Sequence, residues 1–246
     1  MKKPPQKTVP FDSKAERKEL QAAIRLAAKG TGWKQRQGVC FRQIEQWFIA
    51  GHLRNREVNE EIFPYVEILA KPIALDPMFW ASIDLPENKN CPLSFRYWGW
   101  FVCGMPVVDA QSIPLDSAER TANAMIASLD AMLPGLLRRL ETEKFSDIAR
   151  NPAGNHDNWR MSTTIMYALR LEKDPAALDY VRAQMDRGNS HLIISEQFAN
   201  PRIAGKSIFE INYEELTGTT LLTRKSNWVD RLLGKKNSAG KREKRS

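Results

Sequence analysis

Three stretches of this 246-residue chain, and its three histidines, hold residue types that could do chemistry. Ala199-Asn200-Pro201-Arg202-Ile203-Ala204-Gly205-Lys206-Ser207 ends as a phosphate-binding loop ends. Such a loop needs an early glycine so that successive amides can wrap a phosphate. Asn200 stands in that position, and Pro201 removes an amide. A plain loop is the expectation. Asp84-Leu85-Pro86-Glu87-Asn88-Lys89 has the acid and the E-x-K of metal-dependent nucleases. In those enzymes the acids and the lysine project from strands onto a divalent ion and a phosphate. Pro86, Asn88 and Asn90 indicate an exposed turn instead.

The three histidines, His52, His156 and His191, lack a His or Cys partner at metal-binding spacing, and there is no C-x-x-C. No metal and no cofactor is expected. A Ser-His-Asp assembly from distant residues stays open, but no G-x-S-x-G elbow is present.

The third stretch is Phe95–Cys103, which alternates as a strand does. Phe95, Tyr97, Gly99 and Phe101 fall on one face, and Arg96, Trp98, Trp100 and Val102 on the other. Arg96, Trp98 and Trp100 form a candidate binding platform, by analogy with sheet-based RNA readers. The competing expectation, which we prefer, is that a long helix covers this face and makes it core. Arg96 would then lie at the rim, with its stem on a tryptophan.

These residues must be positioned by the elements around them. Ser13-Lys14-Ala15-Glu16 has capping-box spacing, and Leu20, Ala23, Ile24 and Ala27 continue as one helical face that Gly30 and Gly32 end. Residues 33–54 read as extended. Residues 62–75 read as a strand, placed at an edge or bulged because of Pro64 and Pro72. Asp76-Pro77 opens a short helix. Residues 107–113 are expected to return beside the 95–103 strand in an antiparallel meander.

After Pro114, Asp116 or Ser117 caps a long helix that runs to Leu140, with Pro134 as a kink or break. Residues 158–171 and 175–187 read as a helical hairpin, with Asp174-Pro175 as cap and first-turn proline. His191–Phe198 reads as one late strand, and 208–222 gives mixed signals. The expected fold class is α+β: an antiparallel β-meander packed against a long helix, then a helical hairpin and a disordered basic C-terminal tail. The expected organisation is a mobile basic N-terminus over 1–12, a single body over 13–222 (β-rich over 33–113, helical over 116–188) and a basic tail over 223–246.

Charge is partitioned along the chain. The formal net charge is +8, but the 24 residues 223–246 hold nine basic and two acidic side chains. Residues 1–20 hold six basic and three acidic side chains, so the body between the two ends carries a net −2. A basic body groove for nucleic acid is therefore not indicated. The tail cations, Arg224, Lys225, Arg231, Lys235, Lys236, Lys241, Arg242, Lys244 and Arg245, are the candidates for contacting nucleic acid or another anionic surface. Trp228, Val229, Leu232 and Leu233 could share one short helical face among them. No long uncharged apolar window is present, and no apolar signal region follows the basic Met1–Lys7 segment. Three widely spaced cysteines argue against a disulfide framework. A cytoplasmic protein is expected.

The order of elements carries one resemblance. An opening helix precedes Gly32-Trp33-Lys34, then come a β-meander, a long helix and the Ala/Leu-rich pair Met166-Tyr167-Ala168-Leu169-Arg170-Leu171 and Ala176-Ala177-Leu178. This resembles a family of uncharacterised bacterial α+β domains, some of them neighbours of toxin-immunity or defence systems, over residues 15–190. The resemblance implies a bacterial interaction protein and carries no catalytic residue over. The expected function is a non-enzymatic binding protein whose partner is another protein. The alternatives are association with nucleic acid through the basic arm, and a hydrolase or nuclease site not assembled from sequence.

Overall fold

The computed structural model describes residues 11, 13–58, 61–82, 85–98, 102–150, 167–186 and 208–218. The first helix, α1 (Lys14–Ala27), begins as its sequence requires. Ser13 Oγ accepts the Glu16 N–H at 3.2 Å, and the Glu16 carboxylate accepts the Ser13 N–H at 3.0 Å. Two of the orphan amides of the first turn are thereby satisfied. The chain leaves α1 through Gly30 and Gly32, both at positive φ (83° and 84°), which glycine adopts without a Cβ clash.

Five strands follow: β1 (Lys34–Arg36), β2 (Val39–Ile44), β3 (Trp47–Val58), β4 (Glu61–Pro72) and, later, β5 (Val107–Ser112). They pair antiparallel in chain order, a meander. The extended stretch 33–54 is thus three strands joined by tight turns. Gln37 and Glu45 sit at positive φ in those turns.

Alternation along β3 and β4 sends residues to two faces. Ile49 of β3 and Val66, Ile68 and Ala70 of β4 join the core of α1 and the long helix α4 (Ala118–Thr142), which contributes Met125, Leu129 and Leu136. At Gly51 the helix comes so near that a Cβ would lie 2.2 Å from Leu129 Cδ2. Phe48, Ala50 and Leu69 face the other way and pack with Val39, Phe41, Met105 and Val107.

Ser117 caps α4, accepting the Arg120 N–H. Pro134 neither splits nor ends this helix. It is exposed, so the hydrogen bond it removes lies on the solvent side, where water can serve the freed carbonyl. The Trp33 indole N–H donates to Asp130 Oδ1 at 2.8 Å, tying the start of the sheet to α4.

Of two sequence expectations for the sheet, one is met in part and the other is not. β4 is not an edge: it lies between β3 and β5. Pro64 is tolerated because it precedes the first β4–β5 pair, Tyr65 with Ser112, and Pro72 is the last residue of the strand. The other alternative holds: the strand is bulged, between Ile68 and Leu69.

The described parts of the expected strand Phe95–Cys103, residues 95–98 and 102–103, are not strand. Phe95–Trp98 forms a single helical turn, α3, in which Ser94 O accepts the amides of Tyr97 and Trp98 at 3.2 Å each. Residues 99–101 lie outside the described set. The β5 strand pairs with β4 directly. The carbonyls of Arg96 and Cys103 both accept from a buried ammonium, Lys71, and neither residue joins the sheet ladder.

The helix opened by Asp76-Pro77 is α2 (Leu75–Ser82), and α5 (Phe145–Arg150) follows α4. The second half of the expected hairpin is α6 (Pro175–Asp186), where Asp174 Oδ1 accepts the Ala176 N–H at 3.1 Å. Before it, Ala168–Glu172 is a π-helical turn. Residues 158–166 and the expected strand 191–198 lie outside the described residues. The mixed signals after residue 207 resolve into a helix, α7 (Ile208–Thr217). The expected α+β class, with a meander packed against a long helix, is what the structure has.

Candidate ligand-binding cleft

The second face of the sheet, away from α4, carries the polar chemistry of the molecule. His52 of β3 and Glu67 of β4 are directly opposite each other in the ladder. Both are buried, and His52 Nε2 lies 2.8 Å from Glu67 Oε2. The Tyr65 hydroxyl donates to Glu67 Oε1 at 3.3 Å. The hydroxyl of Tyr97, brought over the sheet by α3, lies 2.9 Å from His52 Nδ1.

Arg54 Nε lies 2.7 Å from His52 Nε2 and 3.6 Å from Glu67 Oε2. Nε2 cannot donate to the carboxylate and accept from the guanidinium at once. The short contact to a charged acceptor decides for Nε2–H donating to Glu67, which leaves Arg54 beside the carboxylate as a counter-charge. Burial pushes the Glu67 carboxyl up. The His52 hydrogen bond and charge, with Arg54 and Tyr65, outweigh it and hold the carboxyl below its ordinary value.

A second polar cluster lies further along the same strand. Lys71 and Asp76 are fully buried, with Nζ 2.8 Å from Asp76 Oδ1. Nζ also donates to Arg96 O and Cys103 O at 2.8 Å each, so all three ammonium protons are placed. Asp76 accepts in addition from Cys103 N at 3.0 Å and from Arg96 Nη1 at 3.2 Å. Burial pulls the Lys71 ammonium down against the attraction of Asp76. The saturated geometry makes this cluster a pin that fastens α3 and Cys103 to the sheet. With no exposure and no spare proton, Lys71 is not arranged as a nucleophile.

Between α1, the β1–β2 turn, β3 and α3 lies an open cleft of about 530 Å³. That volume falls within the usual range of small-molecule sites. Leu20, Ile24, Val39 and Leu53 supply apolar wall, Arg17 and Arg54 supply charge, and Tyr97 and Trp98 form an aromatic rim. Trp98 stacks edge-on against Tyr97 at 5.0 Å between centroids and is 41% exposed. No Asp or Glu among the described residues lines the cleft. The polar work is divided: the Lys71 pin holds α3 down, and the His52–Glu67 pair orients the Tyr97 hydroxyl at the cleft wall.

The sequence-predicted residues fall as follows. Arg96 and Trp98 share a helical turn and not a strand face. Arg96 is turned inward, donating to Ile73 O at 2.7 Å and to Asp76, with its guanidinium carbon 5.6 Å from the Trp80 ring centroid. Arg96 is thus not at a rim, and it is its guanidinium, not its stem, that lies over a tryptophan. The expectation that the Trp98 face is core does not hold, given its exposure. Trp100, the tail cations from Arg224 to Arg245, Asp84, His156, His191 and the stretch 199–207 lie outside the described residues. Pro86–Asn90 is a 3₁₀ turn with Glu87 and Lys89 exposed, as its composition indicates.

Sequence reading missed His52, Glu67, Lys71, Asp76 and Tyr97. A signal was present: Glu67 and Lys71 interrupt an apolar strand at positions of the same parity. In a strand buried on both faces, such charges must find partners.

No protein-family model, curated protein or solved structure matches the chain. The chemistry of the cleft therefore rests on its own residues. Among the described residues no group of three His, Cys, Asp or Glu side chains could hold a metal ion. None of their helices is long and apolar enough to cross a membrane.

Proposed function

We propose that the protein is a non-enzymatic binding protein that works through the cleft between α1, β3 and α3. One observation carries this reading: a 530 Å³ cleft with apolar walls, an aromatic rim and two arginines. The ionisable groups behind it, His52 and Glu67, are engaged with each other, which supports a fixed wall more than a reacting centre. The bacterial interaction role implied by the family resemblance is compatible with this reading, with the natural partner presenting its ligand group to the cleft.

The test is a thermal-shift survey of small molecules with wild type and with Gln21→Trp, whose indole would fill the cleft from the exposed face of α1. Ligands that bind the native state raise its melting temperature by mass action. The reading expects hits that stabilise wild type and not Gln21→Trp. Hits that act equally on both place binding elsewhere and overturn it.

A hydrolytic second reading draws on the Glu67–His52–Tyr97 order, a carboxylate orienting an imidazole that meets a hydroxyl. Turnover abolished in both Tyr97→Phe and His52→Gln would favour it. Nucleic-acid association through Arg224–Arg245 draws on the tail's net +7. It expects binding that weakens steeply with salt and is lost on truncation at Thr223.

A further inference from the structure

We infer that the cleft takes a small organic acid: a flat, apolar or aromatic body carrying a single carboxylate or phosphate-type group. The inference rests on the cleft being the binding site and adds the chemical class of what enters it.

Charge decides the class. Arg17 projects from the exposed side of α1, lines the cleft and has no side-chain ion pair among the described residues. Arg54, the other lining cation, is already shared with Glu67 at 3.6 Å. With no acidic side chain among the described lining residues, the cleft offers one uncommitted positive charge and a second, partly neutralised one. That balance suits one anionic group. A cation would meet repulsion with no compensating carboxylate, and a neutral ligand would leave Arg17 in use only by water. A guanidinium also binds carboxylate or phosphate oxygens through two parallel N–H donors, which fixes orientation as well as energy.

Shape decides the body. Leu20, Ile24, Val39 and Leu53 supply the apolar lining. Trp98 is 41% exposed, although the cost of leaving so large an apolar side chain in water is high. Its ring is braced by the edge of Tyr97 at 5.0 Å, and Tyr97 is held through His52. A braced, exposed indole beside an apolar lining is a stacking surface for a flat ligand. The Lys71 pin explains why the surface is present before the ligand arrives: the Arg96 carbonyl, two residues from Trp98, is fixed to a buried ammonium.

The test uses three naphthalenes of one shape: 2-naphthoate, 2-naphthylmethanol and 2-naphthylmethylamine, titrated into the full chain by calorimetry. The expected order is acid, then alcohol, then amine, with the acid about tenfold tighter than the alcohol, as one charge-assisted contact gives. Arg17→Gln should bring the acid down to the alcohol while leaving the alcohol unchanged. Trp98→Ala should weaken both, and Gln21→Trp should abolish both. Equal affinity for acid and alcohol, or an Arg17→Gln variant that keeps the preference, overturns the acid assignment while leaving the cleft as the binding site. Binding that survives Gln21→Trp overturns the cleft itself. No binding of any of the three overturns the aromatic-acid class, and the separate small-molecule survey then decides whether the cleft binds at all. Circular dichroism and melting of each variant separate loss of binding from loss of fold.

Discussion

On one face of the sheet, α4 and α1 lay down apolar side chains; on the other, α3 and the chain around Cys103 are held by buried ions. The first face is continuous hydrocarbon from Ile49 and Ile68 to Leu129 and Leu136. The second alternates patches such as Phe48, Ala50 and Leu69 with His52, Glu67 and Lys71. A helix satisfies its own backbone and needs only an apolar stripe to dock. A single helical turn or an irregular segment leaves carbonyls without backbone partners in the interior, so the sheet must supply donors for them. Lys71 does this for Arg96 and Cys103, and Asp76 does it for the Cys103 amide. The cleft opens where the ion-held α3 meets α1 from the helix-covered face.

The contrast breaks hardest at Asp76. Asp76→Ala leaves a buried ammonium, the Cys103 amide and the Arg96 guanidinium without their shared acceptor. Removing one partner of a buried pair typically costs about 3–5 kcal/mol. Chemical denaturation should show a loss of that size, and Lys71→Met added to Asp76→Ala should recover part of it. A near-neutral single variant would mean that the pin does not hold the second face.

The helix face breaks by a different route. Leu129→Ala should cost about 2–5 kcal/mol through lost burial and a cavity. The nearby glycine offers partial relief: Gly51→Ala places a methyl where Leu129 Cδ2 now sits. It should be destabilising alone and less so in the Leu129→Ala background. Additive effects in the double-mutant cycle would contradict the close approach.

Much of the first face was legible in the sequence. The capping box at Ser13, the helical period of Ala122, Met125, Ile126, Leu129 and Leu136, and the Asp174-Pro175 start are local signals, and local hydrogen bonds honour them. The second face was not legible, because its rules are non-local. His52 and Glu67 are partners only through strand register. Lys71 reaches a carbonyl 25 residues away at Arg96 and another 32 away at Cys103. Phe95–Cys103 alternates like a strand, yet its backbone is claimed by a lysine that no local pattern reveals. The same error placed Trp98 in the core. Its position in a helical turn at a cleft rim depends on that anchoring.

Acid separates the faces more gently. Glu67 is held below its ordinary value, so folding favours its ionised form. Its stabilisation is complete above the unfolded carboxylate value and fades as pH falls through the lowered folded one. Thermal melts down an acid series should show wild type losing stability over that interval, with Glu67→Gln losing less. Parallel curves would remove Glu67 from the account.

The smallest effect is read at the thiols. Burial, with Asp130 nearby, pushes the Cys40 thiol up to about 12, and burial pushes Cys103 well above its ordinary value. Cys91 is half-buried on the segment leading to α3. Brief alkylation of native protein near pH 8, read by peptide mass spectrometry, should modify Cys91 first, because the other two thiols are buried and burial opposes forming their reactive thiolates. Modification of Cys103 at the same rate would show that the pin opens readily.

The binding site is the cleft where α3, held by buried ions on one face of the sheet, meets α1 from the other. Hydrogen exchange of the full chain with and without saturating 2-naphthoate tests it most directly. The account predicts added protection in peptides covering Arg17–Ile24, Gln37–Val39, Leu53–Arg54 and Tyr97–Trp98, with the middle of α4 unchanged. Protection confined to α4, α6 or α7, or spread evenly over the chain, would contradict it.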